Sequence, residues 1–334
     1  MFLVDLPSRK ALLGVLLGFA MMFGTGGVVA APHRSGGKSE PAQLVRSPGV
    51  AIAGRAAAQS YQFNTWPATA SLLLLRVEFP ADTDSLTTGT GQWADAEYAH
   101  DGDVNHWVVK NGIDETLTAP VAFGTVSTAG AISRYYQEVS YGLLTVEVTV
   151  SSSIYLMPNA MGYYGSNETG VNGYAALISD VESLVLSENL NAFDSVMIVH
   201  AGAGEETDIA DDGGVTGDTP SDIWSAHILG TKYTIVPQTG TQDCGTPAQG
   251  FVGACDSAPP LNAVVDPLGV MVHEFAHWLG LPDLYNTLTG GQVIGDWGLM
   301  DTGLYNRDQT TNIFGSAPAH PIVWSKIQLG WLSP

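Results

Sequence analysis

The stretch His273-Glu274-Phe275-Ala276-His277-Trp278-Leu279-Gly280-Leu281-Pro282-Asp283 decides how the rest of the chain is read. Residues four apart on a helix share one face, so His273 and His277 present their imidazoles to one point. At that spacing two ring nitrogens can reach a single Zn²⁺ at about 2.0–2.1 Å each. Glu274, beside the first histidine, falls where a general base can reach water at the metal. Gly280 can take the left-handed conformation that ends a helix, and Pro282 blocks its continuation. The chain therefore turns back just after His277 and can bring Asp283 up as a third ligand. A carboxylate in that role leaves one coordination position for water, as a catalytic zinc site needs.

The flanks agree with this reading. Asp266 reads as an N-cap and Pro267 as the first helical position. Met271, Phe275, Trp278 and Leu279 supply apolar bulk around the histidine face. A bare H-E-x-x-H recurs in unrelated proteins as two core histidines. The glycine and aspartate at turn-and-ligand spacing raise it to a zinc-hydrolase signature. Downstream, Gly295-Asp296-Trp297-Gly298-Leu299-Met300-Asp301-Thr302-Gly303 places Met300 in a glycine-rich turn, where its thioether can pack as a soft floor under the histidines.

Further from the motif, Ser71 to Phe79 is an apolar run read as a buried strand. Residues 82–125 are polar and glycine-rich, and read as a long loop. Thr128 to Tyr141 reads as a helix ended by Gly142, followed by a strand from Leu143 to Val150. Gly173 to Leu190 is a second amphipathic helix, and Phe193 to His200 a further apolar strand. Pro321 to Trp331 reads as a closing amphipathic helix with Trp324, Ile327 and Leu329 toward the core. Strands alternating with helices indicate an α/β layer that carries the metal helix beneath it.

The first 30 residues read as a secretory leader: Arg9 and Lys10, an apolar run from Ala11 to Phe23, then Val28-Val29-Ala30 before the cut. The run is too short to span a membrane, and no later stretch qualifies. The expected product is an exported, soluble monomer. Of 334 residues, 12 are basic and 33 acidic, a net charge of −21. The imbalance is uneven. Ala31 to Gln59 holds Arg34, Lys38, Arg46 and Arg55 against Glu40, whereas from Ser60 onward 6 basic residues face 31 acidic ones. Nucleic acid and anionic membranes are poor partners for such a body. Residues 31–65 read as a basic linker, with a pro-segment lying across an acidic cleft as the alternative.

Cys244 and Cys255 are the two cysteines, close together in a Gly/Pro-rich loop, and an exported chain with one such pair is expected to bridge them. Zinc binding by the pair and a free thiol are the alternatives. Glu205, Glu206, Asp208, Asp211, Asp212, Asp218 and Asp222 make an acidic loop, read as solvated, with structural Ca²⁺ as the alternative. His200 and His227 read either as structural histidines or as residues lining the cleft.

Taken together, these pieces resemble the secreted immune inhibitor A-type metallopeptidases, relatives of the metzincins. The matching stretches are H-E-F-A-H-W-L-G-L-P-D-L-Y at 273–285, G-D-W-G-L-M-D-T-G at 295–303, R-Y-Y-Q-E-V-S-Y-G-L-L at 134–144, V-H-A-G-A-G-E-E at 199–206, D-I-W-S-A-H at 222–227 and W-S-K-I-Q-L-G-W at 324–331. The resemblance implies a two-lobed α/β (α+β) zincin over residues 66–334. Its upper lobe, to about 280, would be a mixed twisted sheet with backing and active-site helices. Its lower lobe, 281–334, would be smaller and irregular or helical. It also implies endopeptidase activity on proteins or peptides, with His273, His277 and Asp283 on zinc, Glu274 as general base and Met300 as the Met-turn residue. Ordinary metzincins carry histidine where this chain has Asp283. Some branches carry a tyrosine where it has Thr302, a place that Tyr285 or Tyr305 could fill. Two rival readings are a catalytically silent surface-binding protein on the same scaffold and a zinc hydrolase of non-peptide substrates.

Overall fold

The structure, a computed structural model, describes residues 28–30, 68–81, 86–87, 90–93, 128–165, 173–207, 221–242, 263–287, 291–306 and 314–333. In chain order the elements are β1 (Val28–Ala30), β2 (Thr69–Glu78), α1 (Thr128–Val139), β3 (Thr145–Leu156), α2 (Met161–Tyr164), α3 (Tyr174–Leu184), β4 (Ser195–Ala203), β5 (Ala226–Ile228), β6 (Tyr233–Gln242), β7 (Ala263–Val265), α4 (Leu268–Trp278) and α5 (Val323–Gln328). Cys244 and Cys255, most of 82–125 and most of the acidic loop lie outside the described residues.

One mixed sheet runs in the order β1-β5-β6-β4-β2-β3, with β7 paired to β6. β3, β2, β4 and β6 are mutually parallel, whereas β5 and β7 run antiparallel to β6 and β1 antiparallel to β5. β2 is apolar without alternation because both of its faces are covered, as parallel strands require. Leu72 and Leu74 enter a core shared with α1 and α4, while Leu73, Leu75 and Val77 enter a second core shared with α3. β3 lies at the sheet edge and alternates instead, with Val146 buried between exposed Thr145 and Glu147. On the first face, the Tyr136 hydroxyl of α1 donates to the Val272 carbonyl of α4, and its ring meets Phe275 edge-on at 5.0 Å. α4 is thus held against the sheet by aromatic packing and by a hydroxyl from a neighbouring helix.

The expected strands and helices recur with shifted ends. The helix expected over 173–190 stops at Leu184, and a 3₁₀ turn at Leu190–Ala192 precedes β4. β6 went unread because Pro237 and Gly240 interrupt its apolar pattern, and proline is disfavoured within a strand. The sheet accepts Pro237 where pairing with β4 becomes irregular, between His200 and Ala203. Trp324 is not a core residue. It is 41% exposed, whereas Leu329 is buried as expected and Trp331 fills the core in its stead. β1, which falls at the end of the expected leader, pairs with β5 through Val29 opposite His227.

Two substitutions test this packing. A Cβ built on Gly269, in the first turn of α4, would stand 1.9 Å from the Leu304 carbonyl oxygen. Alanine ordinarily favours a helix over glycine by about 1 kcal/mol, but overpacking against backbone costs about 1–3 kcal/mol. Gly269→Ala is therefore expected to lower the urea midpoint, and an unchanged midpoint would mean that the carbonyl moves aside. His200 is fully buried against Phe79, and burial pushes its pKa down to about 4, against a partial offset from the Ala201 carbonyl. Its charged form is penalised only in the folded chain. The associated stability is therefore complete above the ordinary histidine value and is lost as pH falls from about 6.5 toward 4. Across that window the parent is expected to lose up to about 1.4 kcal/mol per pH unit more than His200→Phe, measured as the difference in urea stability at several pH values.

Candidate metal centre

α4 starts where the Asp266 carboxylate accepts the Leu268 N–H at 2.8 Å. It ends where Gly280, at φ +93°, donates to the His277 carbonyl at 2.8 Å and Leu281 donates to that of Ala276 at 3.0 Å. That pair of bonds is a Schellman closure, and only glycine takes the left-handed place at low cost. The closure has a second effect. It delivers the Leu281 carbonyl to His277 Nδ1 at 2.7 Å. His273 Nδ1 meets the Leu299 carbonyl at 2.9 Å, so the ring four residues earlier is oriented by a turn 26 residues downstream. A carbonyl can only accept, so each Nδ1 carries the proton and each Nε2 of the neutral ring presents a lone pair.

The two Nε2 atoms stand 3.1 Å apart, with the rings perpendicular. Asp283 Oδ1 lies 3.3 Å from Nε2 of His273 and 3.1 Å from Nε2 of His277. Four ligands at about 2.0–2.1 Å around a tetrahedral zinc stand roughly 3.3 Å from one another, so this triangle has the right size. With both ring protons committed elsewhere, three lone-pair-bearing atoms face one another, and a cation suits that arrangement. Glu274 also offers an oxygen within 4.8 Å of the ring nitrogens. The shorter contacts favour Asp283 for the third position and leave Glu274 beside it. Burial keeps the His277 pKa low, and the neighbouring His273 adds to this against the opposing pull of Asp283. Neutral imidazoles and an ionised carboxylate are the ligand-competent forms.

Met300 is fully buried in the core that also holds Val272, Phe275 and Leu279. The Leu284 N–H donates to its carbonyl at 2.7 Å, which ties the chain after Asp283 to the methionine turn. Tyr285 follows, and its hydroxyl hydrogen-bonds Asp283. Burial pushes its pKa up, helped by the negative charges of Asp283, Glu274 and Asp301. Tyr305 instead sends its hydroxyl toward the Glu206 carbonyl at 3.5 Å. His227 is buried on β5, with Nδ1 3.2 Å from Thr234 Oγ1. Its pKa is pushed down to about 4, first by burial and then by His277, so β5 brings it toward the site while His200 stays in the other core.

Glu205, Glu206 and Asp222 depart from the solvated-loop expectation, since all three are buried. Glu206 accepts the Ser225 N–H at 3.0 Å and the Ser225 hydroxyl at 2.7 Å, and burial pushes its pKa up. Structural calcium finds no support. Among the described residues the group able to hold a metal ion is His273, Glu274 and His277. Sequence reading missed Asp301, whose buried carboxylate accepts four backbone N–H groups. An aspartate within a glycine-rich turn was the available signal, since its side chain readily bonds nearby backbone.

Residues 185–332 match the family model of the immune inhibitor A peptidase M6 catalytic domain. Immune inhibitor A of Bacillus thuringiensis subsp. alesti is 29% identical over 221 residues, which covers 56% of this chain and 30% of that protein. The pre-pro-metalloprotease PrtV of Vibrio cholerae serotype O1 is 26% identical over 242 residues, 64% of this chain and 24% of that one. The chain thus spans less than a third of the length of these curated relatives. The matched stretch contains α4, its closing turn and the methionine turn, and over it this chain is similar to the immune inhibitor A-type metallopeptidases.

Proposed function

We propose that this chain is a secreted, zinc-dependent endopeptidase acting on proteins or peptides. The observation that carries the proposal is the triangle of His273 Nε2, His277 Nε2 and Asp283 Oδ1, closed to 3.1–3.3 Å with both ring protons directed away. These three side chains would hold the zinc, with Met300 packed beneath α4. Zinc, when bound, polarises the scissile carbonyl and lowers the pKa of water toward about 7. Glu274, fully buried beside His273, takes the proton of the attacking water and passes it to the leaving amine. The Tyr285 hydroxyl, kept protonated by burial and by the carboxylates around it, orients Asp283 and supplies a donor on the same side.

On this reading the catalytic unit runs over 66–334, with the sheet and α4 as the upper lobe and the segment after about 280 as a smaller lower lobe. Residues 1–30 are the leader and 31–65 a basic linker, while Cys244 and Cys255 form a local disulfide in a monomer. The leader pattern supports export. No helix among the described residues is long and apolar enough to cross a membrane. Removal of 1–30 would take β1 with it and leave β5 at the sheet edge.

Cleavage of casein with and without chelator is the first test. Chelator-sensitive cleavage is expected, and absence of cleavage by a zinc-loaded protein would favour a silent binding scaffold or another substrate class. Glu274→Gln should keep stoichiometric zinc and lose about 10²- to 10⁴-fold in turnover, whereas Asp283→Asn should lose the metal itself. Zinc held equally tightly by Asp283→Asn, with activity intact, would place the third ligand elsewhere. Tyr285→Phe is expected to lower kcat about 10- to 100-fold with zinc still bound. Tyr305→Phe, by contrast, should leave kcat near the parent value, and equal losses in both variants would remove Tyr285 from this role.

A further inference from the structure

We infer that Asp301 is a positioning residue of the metal centre, its buried carboxylate clamping the turn that aims His273 and anchors the chain beside Asp283. The inference rests on reading His273, His277 and Asp283 as the zinc ligands. One oxygen, Oδ2, accepts three consecutive backbone N–H groups: Val293 at 2.8 Å, Ile294 at 2.7 Å and Gly295 at 2.9 Å. The other, Oδ1, accepts the Thr302 N–H at 2.7 Å. Ile294 lies in the right-handed helical region, and Gly295 follows at φ +66°. Successive residues of opposite hand turn their N–H groups to one side and form a concavity suited to an anion. Asp301, itself fully buried, fills that concavity with a carboxylate from six residues downstream.

The consequence lies in what shares the turn. Asp301 donates its own N–H to the Gly298 carbonyl at 3.1 Å, closing the turn that contains Leu299 and Met300. The Leu299 carbonyl receives His273 Nδ1–H at 2.9 Å, and the Met300 carbonyl receives the Leu284 N–H at 2.7 Å. One turn therefore sets the tautomer and tilt of a histidine ligand and the approach of the chain that carries the carboxylate ligand. Outer groups of this kind commonly alter metal affinity about 10- to 100-fold. A loop staple with no bearing on the metal would stabilise 293–295 and leave affinity unchanged, so affinity separates the two roles.

The test measures zinc affinity by chelator competition, and the visible spectrum of the cobalt-substituted protein, for the parent and Asp301→Asn. The expected result is about 10- to 100-fold weaker zinc and a shifted cobalt band in a chain whose circular dichroism is unchanged. Gly295→Ala keeps the carboxylate but strains the positive-φ position, and should weaken zinc in the same direction by less. If neither variant folds, amide hydrogen exchange of the parent decides, since zinc should slow exchange at 293–295. Affinity within about threefold of the parent in Asp301→Asn, or exchange at 293–295 indifferent to zinc, overturns the inference. A parent chain that binds no zinc overturns the underlying metallopeptidase reading.

Discussion

Each imidazole of α4 gives its Nδ1 proton to a main-chain carbonyl, His277 to Leu281 at 2.7 Å and His273 to Leu299 at 2.9 Å. These two bonds decide which nitrogen of each ring carries a lone pair, and so whether the pair can meet a cation at all. The carbonyls reach the rings by different routes. That of Leu281 is delivered by the helix-ending turn, within four residues of the ring it orients. That of Leu299 lies 26 residues from the ring it orients, in a turn tied by the Met300 carbonyl, Asp301 and the Leu284 N–H.

The sheet is what makes such placement stiff. α4 lies on one face, with Tyr136 bonded to its middle and Phe275 and Leu279 in the same core as Leu72 and Leu74. A helix so buried cannot rotate without emptying that core, and cavities of that kind cost several kcal/mol. Its histidine face is therefore fixed relative to the turn that supplies the Leu299 carbonyl. Acidic groups are buried in the same region, in a chain that is strongly acidic overall. Glu206 is held by Ser225 and Asp301 by four N–H groups. Burying a carboxylate is costly unless donors surround it, and here main-chain N–H groups and the Ser225 hydroxyl supply them.

Several readings changed because exposure is set by neighbours rather than by composition. Glu205, Glu206 and Asp222 look like a solvated run in one dimension, yet β4 and β5 draw them inside. Trp324 carries the apolar period of a closing helix, but α5 is only six residues long and turns Ser325 and Lys326 inward. β6 was hidden by Pro237, which a paired strand tolerates only at an irregularity that the partner strand β4 provides. Tyr285 and Tyr305 were equivalent as letters, and the direction of each hydroxyl separates them.

The sequence by itself determined the features that depend on local spacing. These are the histidine pair on one helical face, the left-handed stop at Gly280, and the buried strand β2. Each is governed by backbone geometry over a turn or two, so the residue order suffices to state it. Only the tertiary structure decided which proton sits on which histidine nitrogen, which tyrosine faces Asp283, and that Asp301 clamps a distant loop. Those outcomes depend on hydrogen bonds across 26 residues in one case and six to eight in another. Their partners meet because a sheet and two cores hold the chain there, and no local pattern in the sequence encodes that meeting.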